Sequence, residues 1–345
     1  MNMDYLKPLF NEDLNSDGDI VEIAGSEFER CKILSGLEPE TYDYAFNEWL
    51  TAKQERLLEK ANEILGDFDN QGRFELLVRT YNSGNLVPFV GAGLSIPSGY
   101  PSWTSFLYQC CSESNIGEEE LTQLLNDGLY EEAAQLLHDD MTSPVFNELL
   151  ETTFDNEKFI EGAIHYLPYL FQDKHVITTN FDSLLERIYA DKAQPFEAGT
   201  VKSGRSLPEV ARILMNKPRL LVKIHGTCNQ VTERVLLKGE YDLVYQDHGE
   251  VSTFFERVIF RESLLFIGAS LNTDRTIKKM EALTAERGHD NLPRHYALLE
   301  LKDGDNRIEK KQALARANIF PIWYPEGEHD ESIEALFYKL MVDCA

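Results

Sequence analysis

Four short apolar runs, each ending in small or polar residues, constrain the fold of this chain more than any other feature. They cover residues 87–90, 175–179, 220–224 and 264–267, and they are followed by Gly91-Ala92-Gly93-Leu94-Ser95, Asn180-Phe181-Asp182, His225-Gly226 and Gly268-Ala269-Ser270. Apolar runs without alternation are typical of parallel strands that are covered on both faces. Because helical patterns lie between the runs, the sequence predicts an α/β fold with a doubly wound parallel sheet.

The first run opens into a glycine-rich turn. Gly91 and Gly93, on either side of Ala92, carry no Cβ, so the backbone can approach a phosphate or a ribose closely and its amides are expected to face an anion. Ile96 stands where the dinucleotide-binding fingerprint has its third glycine, so a turn that serves packing alone is the alternative.

Polar and small residues follow all four strands of the predicted sheet. Ligands of open parallel sheets bind outside the carboxyl ends of the strands, so residues at these ends are expected to share one crevice. The candidates are Gly91, Ala92, Gly93, Ser95, Asn180, Asp182, His225, Gly268, Ser270, Asn272 and Asp274.

The four motifs, in this order, resemble those of the sirtuin, or silent-information-regulator, family. Residues 91–95 are similar to its Gly-Ala-Gly-x-Ser loop, 179–182 to its Asn-x-Asp segment, 223–226 to its His-Gly turn and 268–271 to its Gly-x-Ser loop. The resemblance is clear over residues 86–274. It implies a Rossmann-like sheet that binds NAD, and cleavage of the bond between nicotinamide and ribose.

Two residues are the catalytic candidates for that cleavage. Asn180 is the first, because a carboxamide donates and accepts hydrogen bonds and can orient a water at ribose C1 without a charge of its own. His225 is the second, because an imidazole titrating near neutrality can take a proton from a ribose hydroxyl or from the water. A capping or core histidine is the alternative at His225.

The remaining candidates are assigned to binding. Asp182 is expected to bond ribose hydroxyls, although Asp is also a good N-cap for the helix predicted after it. Ser95, Ser270, Asn272 and Asp274, together with the two glycine loops, are predicted to line the dinucleotide. Asn272 and Asp274 have helix capping as their alternative role.

Cysteine usage and charge restrict the function classes. Zinc-containing sirtuin deacylases carry two Cys-x-x-Cys pairs, and this chain has none among its five cysteines, so no zinc and no other metal site is predicted. The odd cysteine count gives no disulfide framework, and neither a signal peptide nor a membrane span is evident, so a cytoplasmic protein is expected. A formal net charge of −26 disfavours direct nucleic-acid binding and favours a basic partner.

The organisation along the chain adds helical segments to this sheet. Residues 1–80 are predicted to form an N-terminal helical extension, in which a helix over about 42–65 has one apolar face. That face packs either on the sheet of its own subunit or in an oligomer interface. Residues 81–345 are predicted to form the NAD-binding domain, with a helical insert at about 105–173, final strands near 295–301 and 319–323, and a last helix near 331–341.

The resemblance extends to a particular group of proteins. Zinc-free sirtuin-like chains with such helical additions look like NAD glycohydrolase effectors of bacterial anti-phage defence. This implies hydrolysis of NAD to nicotinamide and ADP-ribose, a homo-oligomer, and a HerA-type ATPase as a partner in trans. Two alternatives stay open: an NAD-dependent protein deacylase, which the missing zinc module disfavours, and a non-catalytic scaffold that senses NAD or ADP-ribose.

Overall fold

A computed structural model describes residues 3–16, 21–23, 25–197, 199–203, 207, 219–271 and 275–344. They fall into two compact units, Met1–Glu63 and Ile64–Ala345. The candidate residues Asn272 and Asp274 lie outside the described residues, so their assignment stays a prediction. No helix in the described ranges is both long enough and apolar enough to cross a membrane.

The first unit is helical except for one hairpin. It contains a 3₁₀ helix at Asp4–Leu6, α1 (Lys7–Ser16), β1 (Val21–Ile23), β2 (Ser26–Phe28), α2 (Arg30–Leu37) and most of α3 (Pro39–Gly66). The antiparallel pair β1–β2 is a correction to the prediction of helices alone. Its strands have three residues each, and β2 is exposed throughout, so no apolar pattern marks them in the sequence.

Two aromatic residues of the predicted apolar face of α3 pack on α1 within this unit. The Phe10 ring lies 5.5 Å from the Phe46 ring and 5.7 Å from the Trp49 ring, between ring centroids. Trp49 Nε1 donates a hydrogen bond to Asp13 Oδ2 at 2.8 Å. For these two rings the packing partner is therefore α1, which was neither of the two alternatives expected from the sequence.

The second unit is built on a seven-stranded parallel sheet with the strand order β5-β6-β4-β3-β7-β8-β9. The strands are β3 (Leu86–Val90), β4 (Val176–Thr178), β5 (Val201–Ser203), β6 (Leu221–Lys223), β7 (Ser263–Ile267), β8 (His295–Leu301) and β9 (Ile319–Pro325). Every residue of β3, β4, β6 and β7 is buried, as strands covered on both faces require. The predicted doubly wound, Rossmann-like α/β fold is confirmed.

Helices flank this sheet. They are α4 (Asn70–Asn82), α5 (Trp103–Ser112), α6 (Glu118–Asn126), α7 (Tyr130–Met141), α8 (Ser143–Phe154), α9 (Leu167–Leu170), α10 (Leu184–Asp191), α11 (Lys238–Tyr245), α12 (Glu250–Ile259), α13 (Arg275–Arg287), α14 (Arg307–Arg316) and α15 (His329–Cys344). Short 3₁₀ helices occur at Ala92–Leu94, Ala163–Tyr166 and His289–Asn291. The helices α5 to α9 lie between β3 and β4, in the region predicted as a helical insert at about 105–173.

The helix α4 is fixed to the last strand of the sheet. Asn70 Nδ2 donates to the Trp323 carbonyl at 2.8 Å, and the Trp323 amide donates back to Asn70 Oδ1 at 3.0 Å. Asn70 is completely buried, so this reciprocal pair replaces hydrogen bonds to water. This helix therefore belongs to the sheet-containing unit, although it lies within the residues that the sequence assigns to the extension.

Candidate functional site

The four strand ends that carry the candidate residues are neighbours in the sheet. The strands β6, β4, β3 and β7 are adjacent and parallel, so their carboxyl ends lie along one edge. The chain leaves these strands at His225, Asn180, Gly91 and Gly268 respectively. This is the place where open parallel sheets bind their ligands.

The two glycine loops at this edge contact each other through their backbones. The amides of Gly91 and Gly93 donate to the carbonyls of Ile267 and Gly268, each at 2.8 Å. A Cβ at position 91 would lie 2.5 Å from the Gly268 carbonyl oxygen, and one at 268 would lie 2.6 Å from the Leu94 amide nitrogen. Glycine is therefore required at these positions by contact between the loops, as the packing alternative predicts.

The hydrogen bonds of the first loop correct one expectation from the sequence. Besides the two glycine amides, the Leu94 amide donates to the Gly91 carbonyl at 3.2 Å and the Ser95 amide to the Ala92 carbonyl at 2.9 Å. The prediction that the amides of this turn face an anion is wrong for these four groups, because protein carbonyls already accept from them.

Asn180 connects the ends of β3 and β4. Its Nδ2 donates to the Gly91 carbonyl at 3.1 Å and to Ser95 Oγ at 3.0 Å, and its amide donates to Thr178 Oγ1 at 3.0 Å. The residue is 6% exposed, yet Oδ1 has no hydrogen-bond partner among the residues that the structure describes. A buried acceptor without a partner costs about 1–3 kcal/mol. The nitrogen thus holds the carboxamide in place, and the oxygen is the atom that a ligand or a water can use.

Lys223 forms hydrogen bonds that hold the loop that carries Asn180. It is 1% exposed, and its Nζ donates to the Asp182 carbonyl at 2.5 Å and to Glu186 Oε1 at 3.0 Å. The ammonium group therefore neutralises charge inside the protein and fixes the segment between β4 and α10. Its position in the His-Gly motif gave no indication of this role in the sequence.

The Asp182 carboxylate is buried and bonded within the protein. Its Oδ1 accepts from the amide of Leu184, the first residue of α10, at 3.0 Å, which is the helix-capping geometry expected as the alternative. Burial raises the pKa of this carboxyl, while the charge of Lys223, the Leu184 amide and a hydrogen bond from the Ser95 side chain oppose the shift. Ser95 therefore links Asp182 to Asn180.

His225 lies at the end of β6 and contacts two tyrosines of α11. Its Nε2 is 2.9 Å from Tyr245 Oη, and its Nδ1 is 3.4 Å from Tyr241 Oη. The residue is 7% exposed, and its ring meets that of Tyr241 edge-on at 5.0 Å. Sequence analysis singled out the histidine but not Tyr245. The spacing of four, which places both tyrosines on one helix face, was the available signal.

His329 is a second residue that the sequence did not indicate. It is the first residue of α15, and a Cβ at Gly93 would lie 2.7 Å from its Nε2. Its Nδ1 is 2.5 Å from Tyr324 Oη, and burial lowers the pKa of the imidazole. This histidine therefore packs against the glycine loop. No local pattern could reveal a contact between segments so far apart in the chain.

The other candidates differ in their surroundings. Ser95 is buried, Ala92 begins the 3₁₀ turn of the first loop and is partly exposed, and Ser270 is exposed. Among the described residues, no three His, Cys, Asp or Glu side chains are placed so that they could hold a metal ion. The binding roles of Ala92 and Ser270 stay predictions.

Part of the chain is similar to a known protein family. Residues 174–322 match the family model described as SIR2-like domain. The matched segment begins just before β4, contains Asn180, Asp182, His225 and Gly268, and ends within β9. The chain is thus an α/β protein with a Rossmann-like parallel sheet, and its residues 174–322 are similar to the SIR2-like domain.

The chain is also similar to curated proteins at low sequence identity. The chain is 22% identical over 270 residues to a protein named NAD(+) hydrolase ThsA of Cytobacillus dafuensis, covering 74% of this chain and 52% of that protein. It is 26% identical over 231 residues to Defense-associated sirtuin 2 of Bacillus subtilis, covering 64% of this chain and 21% of that protein. A protein named NAD(+) hydrolase ThsA of Enterococcus faecium is 24% identical over 231 residues, and the match covers 66% of this chain and 46% of that protein. The chain therefore spans about half or less of the length of these relatives.

Proposed function

We propose that this chain is an NAD glycohydrolase effector, which hydrolyses NAD to nicotinamide and ADP-ribose in bacterial defence against phage. The observation that carries the proposal is the buried carboxamide of Asn180, which is anchored through Nδ2 and whose Oδ1 has no partner in the described part of the chain. The SIR2-like segment and the relatives named NAD(+) hydrolase support the choice of substrate.

The proposed reaction needs little covalent chemistry from the protein. The bond between nicotinamide and ribose C1 breaks with both electrons staying on nicotinamide, which leaves as a neutral base. Asn180 Oδ1 accepts a hydrogen bond from a water and directs its oxygen to C1, where the new bond forms. His225 takes the proton that this water loses. The Asp182 carboxylate, hydrogen-bonded by the Leu184 amide and the Ser95 side chain, stabilises positive charge as it develops on the ribose.

The test is release of nicotinamide from NAD, measured by chromatography for the full chain and for Asn180→Ala. We expect the variant to lose at least about 100-fold in rate, in line with the loss of a group that positions and stabilises the transition state. Asn126→Ala is the matched control, because Asn126 is exposed on α6. Unchanged turnover in Asn180→Ala would contradict the proposed mechanism.

The assembly state is a further part of this proposal. The resemblance supports a homo-oligomer that acts with a HerA-type ATPase in trans, and the net charge of −26 favours a partner with a basic surface. We expect a mass several times that of one chain by light scattering. The assay is therefore run with and without the ATPase, and no nicotinamide release in either case would reject the hydrolase.

Two other activities are distinguished by the same assay. Release of nicotinamide only in the presence of an acylated lysine peptide would identify a deacylase. Binding of NAD or ADP-ribose without any turnover, with or without the ATPase, would identify a sensor.

A further inference from the structure

The two ring nitrogens of His225 contact tyrosine hydroxyls at different distances. The 2.9 Å distance between Nε2 and Tyr245 Oη is that of a normal hydrogen bond, whereas the 3.4 Å distance between Nδ1 and Tyr241 Oη is at the long limit of one. Both tyrosines come from α11 and their rings stack at 5.9 Å, so they form one surface against the imidazole. Of these two contacts, the one at Nε2 is the shorter.

Tyr245 is itself held by α13. Its Oη is 3.2 Å from Thr276 Oγ1, and Thr276 is completely buried. Either hydroxyl of this pair can be the donor. When Tyr245 donates to Thr276, its oxygen presents a lone pair to the histidine, and the matching donor is an imidazole with its proton on Nε2. In that arrangement Nδ1 of neutral His225 is unprotonated.

Tyr241 has a different relation to the same ring. Its side chain meets His225 edge-on, and the Arg275 guanidinium lies 5.6 Å from the centroid of the Tyr241 ring. Ring contacts therefore position Tyr241 without help from its hydroxyl. Its long contact to Nδ1 is the weaker of the two, so a ligand hydroxyl or a water can replace it at less cost.

We propose that Tyr245 is a positioning residue that keeps the proton of neutral His225 on Nε2, so that Nδ1 is the atom that takes the proton in hydrolysis. The role in proton transfer rests on the proposed function. The proton lost by the attacking water moves to Nδ1, and the resulting imidazolium keeps its Nε2–H bond to Tyr245. The preferred tautomer, in contrast, is a property of the protein without substrate.

The first experiment compares Tyr245→Phe with Tyr241→Phe. Each variant removes one hydroxyl from α11 and keeps the ring that packs on His225. We expect Tyr245→Phe to lower kcat by at least about tenfold more than Tyr241→Phe does, with KM changed less than about twofold, because general-base catalysis depends on the correct tautomer. An equal or larger loss of kcat in Tyr241→Phe would overturn the proposal.

The second experiment does not depend on activity. In protein labelled with ¹⁵N-histidine, two-bond proton–nitrogen correlation spectra show which ring nitrogen of His225 carries the proton, and the His225→Gln spectrum assigns the signals. We expect Nε2–H in the unmodified protein and a mixture of tautomers in Tyr245→Phe. A proton mainly on Nδ1 in the unmodified protein would overturn the proposal, whether or not the protein hydrolyses NAD.

A third variant guards against misfolding of Tyr245→Phe. Thr276→Val keeps the shape of the buried side chain and removes Oγ1, so it removes the contact with the Tyr245 hydroxyl. We expect a smaller loss of kcat and a smaller shift toward the second tautomer. Nε2–H in a protein that never releases nicotinamide would support the positioning role and reject the proposed hydrolase, so the two failures are distinguishable.

Discussion

Asn180 Nδ2 donates a hydrogen bond to Ser95 Oγ at 3.0 Å, and this contact joins the loop after β3 to the loop after β4. The Ser95 side chain is also hydrogen-bonded to the Asp182 carboxylate. A single hydroxyl thus connects the proposed catalytic carboxamide with the buried acid, and it adds one hydrogen bond to each.

Removal of this hydroxyl tests the connection. We expect Ser95→Ala to lower the rate of NAD hydrolysis by about tenfold and the free energy of unfolding by about 1 kcal/mol, the usual value of one buried hydrogen bond. Ser98→Ala is the matched control, because Ser98 is buried nearby and its Oγ accepts from the Glu161 amide at 2.9 Å. A similar loss of hydrolysis in both variants would indicate a general effect on the loop.

Lys223 provides a test of the segment that carries Asn180. Lys223→Met keeps the apolar stem and removes the ammonium group, which leaves the Asp182 carbonyl and Glu186 without their shared donor. We expect the free energy of unfolding to fall by about 3 kcal/mol, because loss of one partner strands the other inside the protein. Urea denaturation measures this change, and nicotinamide release is expected to fall with it. Glu186→Gln keeps an acceptor for Nζ and is expected to cost less than half as much.

The contact between the two glycine loops predicts an effect of a single methyl group. In Gly91→Ala the new Cβ would lie 2.5 Å from the Gly268 carbonyl oxygen, so one loop must move. We expect a lower melting temperature and weaker NAD binding by calorimetry. Gly72→Ala is the control: this helical glycine has open space around it, and the change is expected to stabilise the protein by about 0.5–1 kcal/mol. Normal NAD binding by Gly91→Ala would show that the loops need not touch.

The sheet could be predicted from the sequence because strands that are buried on both faces consist mainly of apolar residues. Every residue of β3 and β7 is buried, and their unbroken apolar runs show it. The strands β8 and β9 and the helix α15 also lie where they were expected. The hairpin of β1 and β2 was missed because the three residues of β2 are all exposed, so it has no such apolar run.

The location of the candidate site could be predicted from the sequence, but its hydrogen bonds and packing contacts could not. The strands β6, β4, β3 and β7 are adjacent and parallel, so their carboxyl ends lie along one edge of the sheet. The apolar runs in the sequence were sufficient to predict this edge. The acceptors of the Gly91 and Gly93 amides could not be predicted, because the Ile267 and Gly268 carbonyls are more than 170 residues away along the chain. The same holds for the contact of His329 with Gly93, which depends on packing between segments far apart in the chain.

The attachment of α7 to α11 and α13 yields a prediction on dynamics. Arg275 forms ion pairs with Glu131 on α7 and with Asp242 on α11, and its Nε donates to Glu131 Oε1 at 2.6 Å. We expect Arg275→Ala to speed hydrogen exchange in α7 by about tenfold, since loss of a charged hydrogen-bonded pair costs about 1.5 kcal/mol. Lys238→Ala removes a more exposed ion pair between the same two helices, that of Lys238 with Glu132, and is expected to change exchange little. If both variants speed hydrogen exchange in α7 equally, the ion pairs of Arg275 do not hold this helix more firmly than that of Lys238 does.

His295 predicts how stability depends on pH. This first residue of β8 is completely buried, and its Nδ1 accepts from the Leu264 amide at 3.0 Å. Burial lowers the pKa of the imidazole from 6.5 to about 3, so the folded protein keeps it neutral over a range in which the unfolded chain binds a proton. Stability is therefore full above pH about 6.5 and falls as the pH drops toward about 3, by up to about 1.4 kcal/mol per pH unit.

The variant His295→Asn isolates this contribution, because an asparagine Oδ1 can accept from the Leu264 amide and does not titrate. We expect His295→Asn to be less stable at neutral pH, since it loses ring packing, but to lose less stability between pH 6 and pH 5. Urea denaturation at each pH gives the slope, and His289→Asn, which replaces an exposed histidine, is expected to follow the unmodified protein. If His295→Asn has the same slope as the unmodified protein, the buried histidine is not the source of the pH dependence, and protonation elsewhere must account for it.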